Sequence, residues 1–469
     1  MAAAQLGYTV RRKEDSYQYQ VGFGNSFASE AIPGVLPIGQ NNPQKVKYDL
    51  YAEGLNGTPF TTPRGSNERT WFYRIRPSVA HLGFYPSEQP NTNIEAEFSL
   101  KDPKQHISPT QLTWSPLPIP SDNSKVTFID GIATILGNGG PTAREGLAIH
   151  LYSANASMEK TAFVNSDGDF LIVPAYGRLD VQTELGRLLV GPGEIAVIQR
   201  GIKWKVSLPD GSARGYIQEI FGSHYELPEL GPLGANGLAN VRDFEHPVAH
   251  FDLDQTPWDV VYKLGGKYFT CKQNHTPFDV VAWHGNYVPY KYDLDAFISI
   301  GSVTKDHLDP SVFTVLTAKS KTSGVALADF AVFKERWDVA TGTFRPPYFH
   351  RNTCVEVIGV IKGTYAGRSE DAQIGGLSFE NGFCPHGVDI NVFTEATESE
   401  LVPTKIGKDS IMVLFESSMM CTITDFGIKN KKGEHEASMW DGLTPNFLKH
   451  VGQINEELKA AKLPALVQN

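Results

Sequence analysis

The chain has 469 residues, of which 41% are hydrophobic, and its 42 Lys and Arg against 52 Asp and Glu give a net charge of −10. At about 100–200 residues per domain, this length predicts two or three domains. The negative charge disfavours nucleic acids and anionic membranes as partners, because both attract positively charged surfaces. No apolar run of about 18 residues occurs, so no membrane-spanning segment is predicted.

The cysteines and the N-terminus indicate the compartment. The four cysteines lie far apart, and no two of them form a CxxC pair, so neither a disulfide framework nor a zinc ribbon is expected. The N-terminus has no apolar segment of the kind found in secretion signals. We therefore expect a cytoplasmic protein in a reducing compartment.

Taken in chain order, the predicted elements are mostly strands. Short β-branched runs bounded by Gly, Pro, Asn and Asp occur at 125–137, 170–198 and 418–428. In 170–198, glycines interrupt the pattern every few residues, which is typical of short antiparallel strands in a jelly roll or cupin barrel. One helical pattern, at 444–463, follows a possible cap at Thr444 and a proline suited to a first turn. The predicted fold is mainly β, with cupin-like β-barrel or jelly-roll domains and peripheral helices.

The domain division is predicted near residue 276. Residues 225–275 include a stretch rich in Gly, Pro and Asn, and a second β region extends from about 310 to 428. We therefore expect an N-terminal β-sandwich domain at 1–275 and a C-terminal cupin-like catalytic domain at 276–469.

A candidate metal site is predicted in the second β region. His350 and Glu356 are six residues apart, and on one straight strand they would be roughly 20 Å apart. They can share a metal only if the chain reverses at the polar residues 351–353, which makes 344–350 one strand and 354–363 the next. On the second strand Glu356 shares a face with Ile358 and Val360, so its carboxylate must be paired, protonated or bound to metal.

The spacing of these residues resembles a known pattern of metal ligands. His350, Glu356 and then Gly363 are placed as in the first cupin motif, with Asn352 where many cupins have a second His. His386 follows about thirty residues later, after Gly382 and Pro385, as in the second motif. Two His and one carboxylate form the facial triad of non-haem Fe(II) oxygenases, although zinc and manganese cupins would have a similar pattern.

Segments spread along nearly the whole chain carry a second resemblance: YQVGFGNSFASEA (19–31), LYAEGLNGTPFTTPR (50–64), WFYRIRPSVAH (71–81), GYIQEIFGSHYELPELGPLGANGLAN (215–240), FDVVAWHGNYVPYKYDL (278–294), DPSVFTVLTAKS (309–320), FRPPYFHRN (344–352) and PHG (385–387). On these segments the chain resembles the homogentisate 1,2-dioxygenase family. This resemblance implies a cupin-like, extradiol-type non-haem Fe(II) dioxygenase. Such an enzyme uses O₂ to open the ring of 2,5-dihydroxyphenylacetate (homogentisate) to maleylacetoacetate in tyrosine and phenylalanine catabolism. It also implies a homo-hexamer, a dimer of trimers.

The resemblance assigns roles to individual residues. The family's iron ligands correspond to His350, Glu356 and His386, the three residues that the spacing indicates. Its acid–base His corresponds to His284. Its substrate-contacting Tyr corresponds to Tyr365, and Tyr348 beside the first ligand is a further candidate for the pocket, as is His386 itself.

One position departs from the family pattern. Glu380 stands where the family usually has a His in the substrate pocket. Two negative groups a few ångströms apart repel by roughly 4 kcal/mol at an effective dielectric of about 20. Glu380 would thus disfavour the substrate's acetate, unless it is protonated, paired or directed elsewhere. Because the net charge is also negative, recognition of an anionic substrate must come from local groups.

Three alternatives remain at this stage. The first is a related dioxygenase that cleaves another para-diol aromatic, such as gentisate or a substituted hydroquinone, and Glu380 is the feature that favours it. The second is a non-catalytic cupin-like binding protein, which the intact triad disfavours. The third is a zinc- or manganese-dependent isomerase or hydrolase, which would not consume O₂.

Overall fold

The structure is a computed structural model, and it describes residues 15–301, 303–363, 373–434 and 437–467. The described part of the chain contains 29 strands and three α-helices. The prediction of a mainly-β fold with peripheral helices is therefore confirmed. The longest α-helix has ten residues, and no helix within these ranges is long and apolar enough to cross a membrane.

The strands, in chain order, are β1 (Tyr19–Val21), β2 (Phe27–Glu30), β3 (Tyr51–Asn56), β4 (Arg69–Arg74), β5 (Phe84–Pro86), β6 (Gln105–His106), β7 (Leu112–Trp114), β8 (Ile132–Gly140), β9 (Glu145–Ala154), β10 (Thr161–Asn165), β11 (Asp169–Tyr176), β12 (Leu179–Thr183), β13 (Gly186–Val190), β14 (Glu194–Ile198), β15 (Lys203–Ser207), β16 (Ala213–Ile220), β17 (Tyr225–Glu226), β18 (Phe244–Pro247), β19 (Trp258–Leu264), β20 (Lys267–Gln273), β21 (Val280–Gly285), β22 (Tyr290–Asp293), β23 (Thr314–Lys319), β24 (Ala326–Asp338), β25 (Val355–Lys362), β26 (Leu377–Glu380), β27 (Thr404–Ser417), β28 (Thr422–Thr424) and β29 (Gly433–Glu434). The α-helices are α1 (Ile390–Glu398), α2 (Asp425–Asn430) and α3 (Val451–Ala460). Short 3-10 segments are Lys47–Asp49, Arg64–Ser66, Gly231–Asn236, Val241–Asp243, Leu294–Ala296, Pro310–Phe313, Ala437–Trp440 and Asn446–His450.

These strands form four sheets. The largest has ten strands in the order β1-β18-β22-β14-β11-β16-β9-β8-β28-β6, and the next has eight, in the order β17-β23-β24-β27-β25-β26-β7-β29. A seven-stranded sheet has the order β13-β12-β15-β10-β19-β20-β5, and a four-stranded sheet has the order β2-β21-β4-β3. The eight-stranded sheet carries the candidate metal site.

The ten-stranded sheet is buried on both faces. Along β11, Leu171 and Val173 belong to one apolar core together with residues of the eight-stranded sheet, such as Phe330. The intervening Phe170 and Ile172 belong to a second core, shared with the seven-stranded sheet. Because side chains alternate between the two faces of a strand, both sets must be apolar, which explains the unbroken apolar run in this part of the sequence.

The strand that carries Glu356 is held against the ten-stranded sheet. The hydroxyl of Tyr216, on β16, donates to the carbonyl oxygens of Val360 (3.0 Å) and Gly376 (2.7 Å) and accepts from the amide of Val360. At Gly359 a Cβ atom would lie 2.8 Å from the Tyr216 ring, so this contact requires a glycine. The site strand thus rests directly on a fully buried aromatic residue.

One predicted strand is absent, and two other predicted elements are shorter than expected. Residues 344–350 form no strand, because Pro346 and Pro347 lack the amide hydrogens that a ladder requires, and only His350 makes an isolated bridge. In 418–428 the strand is limited to Thr422–Thr424, and the Thr424 hydroxyl then caps α2 by accepting from the amide of Gly427. The C-terminal segment begins as a 3-10 turn at Asn446, becomes α-helical only at Val451, and has no side-chain cap.

Strands from both sides of residue 276 mix in the sheets. β21 and β22, which follow the predicted boundary, pair with strands of the N-terminal half. Conversely, β7 pairs with β26 in the eight-stranded sheet. The two halves are thus joined through shared sheets as well as through a common core, and the boundary at 276 stays a prediction.

Candidate metal centre

The structure brings the three predicted ligands together. Glu356 lies on β25, His350 precedes this strand, and His386 follows β26. An isolated antiparallel bridge pairs the two histidines, with hydrogen bonds from His350 N to His386 O (3.0 Å) and from His386 N to His350 O (3.1 Å). This backbone pairing holds the two imidazole rings with their centroids 4.1 Å apart.

The hydrogen bonds of the two imidazoles determine which nitrogens are available to a metal. Nδ1 of His350 donates to the Tyr348 carbonyl (2.8 Å), and Nδ1 of His386 donates to the Cys384 carbonyl (2.9 Å). Both Nε2 atoms therefore face Oε1 of Glu356, at 3.2 and 3.3 Å. One ligand atom from each of the three residues lies within 4.8 Å of the other two.

The protonation of the triad follows from this geometry. Burial opposes charge on Glu356, but the hydrogen bonds from both histidines hold its pKa well below the usual range. The hydrogen bond to Glu356 raises the pKa of His350. Despite burial, the hydrogen bond to Glu356 and the charge of Glu380 raise the pKa of His386 to about 8. A metal ion bound by the two Nε2 atoms would take the place of protons at these nitrogens.

The donor set fits a mononuclear metal with open coordination positions. Each histidine has its Nδ1–H fixed by a backbone carbonyl, which is the usual support for an Nε2 ligand. Two imidazoles and one carboxylate match the facial triad of non-haem Fe(II) enzymes, and the same residue types also bind zinc. The three side chains are therefore arranged to hold one divalent ion and to leave positions for other ligands.

The triad opens onto a cavity of about 590 Å³. Its lining, within the described ranges, is Phe349, His350, Arg351, Pro385, His386, Trp440 and Leu443. Most of this lining is apolar or aromatic, and the polar groups are the two ligating histidines and one arginine. A cavity of this kind suits a single aromatic ring held over the metal.

Two amide side chains support the carboxylates of the site. Nδ2 of Asn352 donates to Oε1 of Glu356 at 2.9 Å, so this oxygen is oriented toward the imidazoles. Nε2 of Gln111, on the segment before β7, donates to Oε1 of Glu380 at 2.9 Å. Sequence reasoning noted Asn352 only as a departure from a motif, and it missed Gln111, which is 269 residues from its partner.

Glu380 is buried beside the ligating nitrogen of His386. It is 1% exposed, its Oε2 is 3.5 Å from Nε2 of His386, and it is not among the residues that line the cavity. Its hydrogen bond from Gln111 also stabilises the carboxylate. The electrostatic conflict with an anionic substrate is therefore reduced by position, because Glu380 is buried and absent from the described lining of the cavity.

A row of carboxylates crosses the eight-stranded sheet at one level. Glu356 pairs in register with Glu380 on one side and with Glu416 on the other, and Glu416 pairs with Asp329. Burial and the nearby charges of Asp329 and Glu356 raise the pKa of Glu416 to about 7, against a hydrogen bond from Cys354 that lowers it. Burial likewise raises the pKa of Asp329. Sequence reasoning missed this row because it depends on strand pairing.

His284 lies in a different cavity from the triad. It is on β21, and its cavity of about 220 Å³ is formed with Ala28, Leu36, Pro37, Gly39, Gln40 and Asn41. Its Nε2 is 3.1 Å from the hydroxyl of Tyr73. Burial and the charge of Arg69 lower its pKa, so that the imidazole is neutral at pH 7. The two cavities share no lining residue among those described.

The two predicted tyrosines have different outcomes. Tyr348 is 55% exposed, packs edge-on against His350 with centroids 5.7 Å apart, and supplies the carbonyl that orients this ligand. Tyr365 lies outside the described residues.

A mainly-β chain in which two histidines and one carboxylate converge beside an aromatic cavity defines a mononuclear metal-site protein of the oxygenase type. Comparison with known protein families identifies the family to which this chain belongs. Residues 18–294 match the family model described as homogentisate 1,2-dioxygenase N-terminal, and residues 295–447 match the one described as homogentisate 1,2-dioxygenase C-terminal. The chain belongs to the homogentisate 1,2-dioxygenase family, as the sequence resemblance predicted.

Individual relatives agree with this assignment. The chain is 48% identical over 435 residues to the homogentisate 1,2-dioxygenase of Caenorhabditis elegans, covering 92% of this chain and 98% of that protein. It is 50% identical over 431 residues to that of Dictyostelium discoideum, with 92% and 98% covered. It is 47% identical over 437 residues to that of Homo sapiens, with 92% and 97% covered.

Proposed function

We propose that this protein is an Fe(II)-dependent dioxygenase that opens the ring of homogentisate with O₂ to give maleylacetoacetate, in tyrosine and phenylalanine catabolism. The observation that carries the proposal is the convergence of His350, Glu356 and His386 on one point beside an aromatic cavity, in a chain of this family. A facial triad leaves positions for both a substrate oxygen and O₂.

The residues of this chain would position the reactants. His350, Glu356 and His386 would hold the iron, and bound iron supplies the transfer of electron density between O₂ and the electron-rich ring. Asn352 orients Glu356 by its 2.9 Å hydrogen bond, and the Tyr348 carbonyl orients His350. The apolar walls of the cavity hold the ring and exclude water.

His284 is proposed as the acid–base group. A neutral imidazole whose pKa is lowered by burial and Arg69 is able to accept a phenol proton at neutral pH. General-base catalysis requires hydrogen-bond reach, yet the two cavities of one chain share no lining residue within the described ranges. We therefore propose that His284 reaches the metal cavity of a neighbouring subunit in the homo-oligomer.

We further propose a cytoplasmic hexamer, arranged as a dimer of trimers. The family resemblance implies the hexamer, and exposed apolar side chains support burial between subunits. Ile38, Phe60 and Val79 are 99%, 88% and 80% exposed in one chain. All four cysteines are free, which fits a reducing compartment.

A second candidate is cleavage of another para-diol, such as gentisate or a substituted hydroquinone. Glu380, in place of the family's usual His, is the observation that favours it. Because Glu380 is buried and absent from the described lining of the cavity, we rank homogentisate first.

O₂ uptake across a substrate panel tests the proposal. Purified protein, loaded anaerobically with Fe(II), would be given homogentisate, gentisate and methylhydroquinone in an oxygen electrode. We expect homogentisate to give the highest kcat/KM, with one O₂ consumed per ring, and His386→Ala to abolish uptake. Faster turnover of an uncharged hydroquinone would favour the second candidate, and uptake unaffected by His386→Ala would refute the proposed site.

A further inference from the structure

Arg351 is the one cationic side chain, among the described residues, that lines the cavity of the triad. It immediately follows the ligand His350 and is exposed to solvent. No hydrogen bond or ion pair engages its guanidinium within the described part of the chain. Most other arginines of the fold differ: Arg74, for example, is bonded to Asp279, Glu184 and Glu53.

The lining of the cavity presents three kinds of surface. His350 and His386 form the end that would hold the metal. Phe349, Trp440 and Leu443 form apolar walls, and Arg351 supplies a positive charge. An aromatic ring with an oxygen directed at the metal and a carboxylate directed away from it complements these three surfaces.

From this arrangement we infer that Arg351 binds the carboxylate of the substrate and thereby selects aromatic diols that carry an acidic side chain. This inference rests on the proposed function. A guanidinium presents parallel N–H donors that match a carboxylate, and such charge-assisted pairs are stronger than neutral hydrogen bonds. Glu380 is buried beside His386 and is not among the described residues that line the cavity with Arg351.

Arg351 also supplies the local attraction that an anionic substrate needs in a protein with a net charge of −10. A protein with this charge has no long-range attraction for an anionic substrate. One guanidinium at the cavity, with no ion pair to any described residue, supplies a local attraction that acts within a Debye length of about 8 Å at physiological ionic strength. Selectivity for the anion should therefore weaken as salt is added.

The test compares a charged and a neutral ligand of the same shape. Anaerobic titration calorimetry of the iron-loaded protein would give dissociation constants for homogentisate and for its neutral amide, 2,5-dihydroxyphenylacetamide. In Arg351→Gln, we expect the preference for homogentisate over the amide to fall by about 10- to 150-fold, the range for losing a hydrogen bond between charged groups. Arg351→Lys, which keeps the charge but not the fork, should retain part of the preference.

Matched controls separate recognition from damage to the fold. Arg242→Gln removes another exposed arginine, one that contacts Asp243 away from the site, and should keep the wild-type preference. Iron content is measured for each variant, because His350 is adjacent. A general disturbance weakens both ligands and leaves their ratio unchanged, so an unchanged ratio in Arg351→Gln overturns the inference.

The calorimetry, taken together with the oxygen-electrode assay, distinguishes the inference from the proposed function. If the wild-type protein consumes no O₂ with homogentisate, the proposed function fails. If the wild-type protein turns over homogentisate and Arg351→Gln prefers it as strongly as the wild type does, only the role of Arg351 fails.

Discussion

Asn352→Leu should weaken iron binding without unfolding the protein. The Asn352 amide donates a 2.9 Å hydrogen bond to Oε1 of Glu356, the oxygen that faces both ligating imidazoles. Oδ1 of Asn352 is buried and has no hydrogen-bond partner among the described residues, so leucine removes one interaction rather than two. The change therefore isolates the group that orients the carboxylate.

The magnitude follows from the role of such supporting groups. Loss of a hydrogen bond to a metal ligand typically costs about 10- to 100-fold in metal affinity, which is about 1.4–2.7 kcal/mol. We expect the Kd of Asn352→Leu for Fe(II) to rise by this factor. At saturating Fe(II), O₂ uptake should recover most of its wild-type rate, because the three ligands remain.

The assay is anaerobic competition for Fe(II) against a chromogenic chelator, with thermal unfolding measured in parallel. Gln453→Leu is the matched control. The side-chain amide of Gln453 also donates a 2.9 Å hydrogen bond to a carboxylate, that of Glu457, but both residues lie on the C-terminal helix α3. An Fe(II) dissociation constant equal to that of the wild type, with the fold intact, would refute the idea that Asn352 orients Glu356.

Three further predictions concern stability. Lys263→Met should cost about 3–5 kcal/mol in urea unfolding, because the fully buried Glu219 and Asp167 lose the ammonium that they share. Tyr216→Phe should cost about 1–3 kcal/mol and speed hydrogen exchange at Val360, whose buried amide loses its acceptor. Burial lowers the pKa of His246 from 6.5 to about 4, so the folded state favours the neutral imidazole. The contribution of His246 to the free energy of unfolding is therefore fully present above pH 6.5, and about 3 kcal/mol is lost as the pH falls toward 4.

Each of these predictions has a specific control. Adding Glu219→Gln to Lys263→Met should restore part of the lost stability, and no recovery would contradict the charge argument. Exchange at Val360 that is as slow in Tyr216→Phe as in the wild type would show that another group satisfies this amide. His246→Gln should flatten the stability profile between pH 4 and 6.5, and superimposable profiles would exclude His246 as the titrating group.

Local patterns in the sequence were sufficient to predict the class of the fold and the candidate metal ligands. Short β-branched runs between turn residues predicted a mainly-β protein, and the spacing of His350, Glu356 and His386 predicted a metal site with three ligands. The mainly-β fold is confirmed and the three residues do converge, because side-chain periodicity and ligand spacing are recorded along the chain itself. Local rules failed at 344–350, where two prolines prevent a strand.

Only the tertiary structure decided how the site is supported and what faces it. Gln111 reaches Glu380 across 269 residues, and Glu416 joins Glu356 through strand pairing, which no local pattern encodes. The same pairing placed Glu380 beside Glu356 and close to His386, where it is buried and absent from the described lining of the cavity, although its position in the sequence predicted a substrate contact. Arg351 seemed only a turn residue in the sequence, and it became a candidate anchor because folding exposed its charge beside the ligands. The same physical reason applies to each of these residues. The neighbours of a side chain are set by sheet register and packing, and these depend on the whole chain.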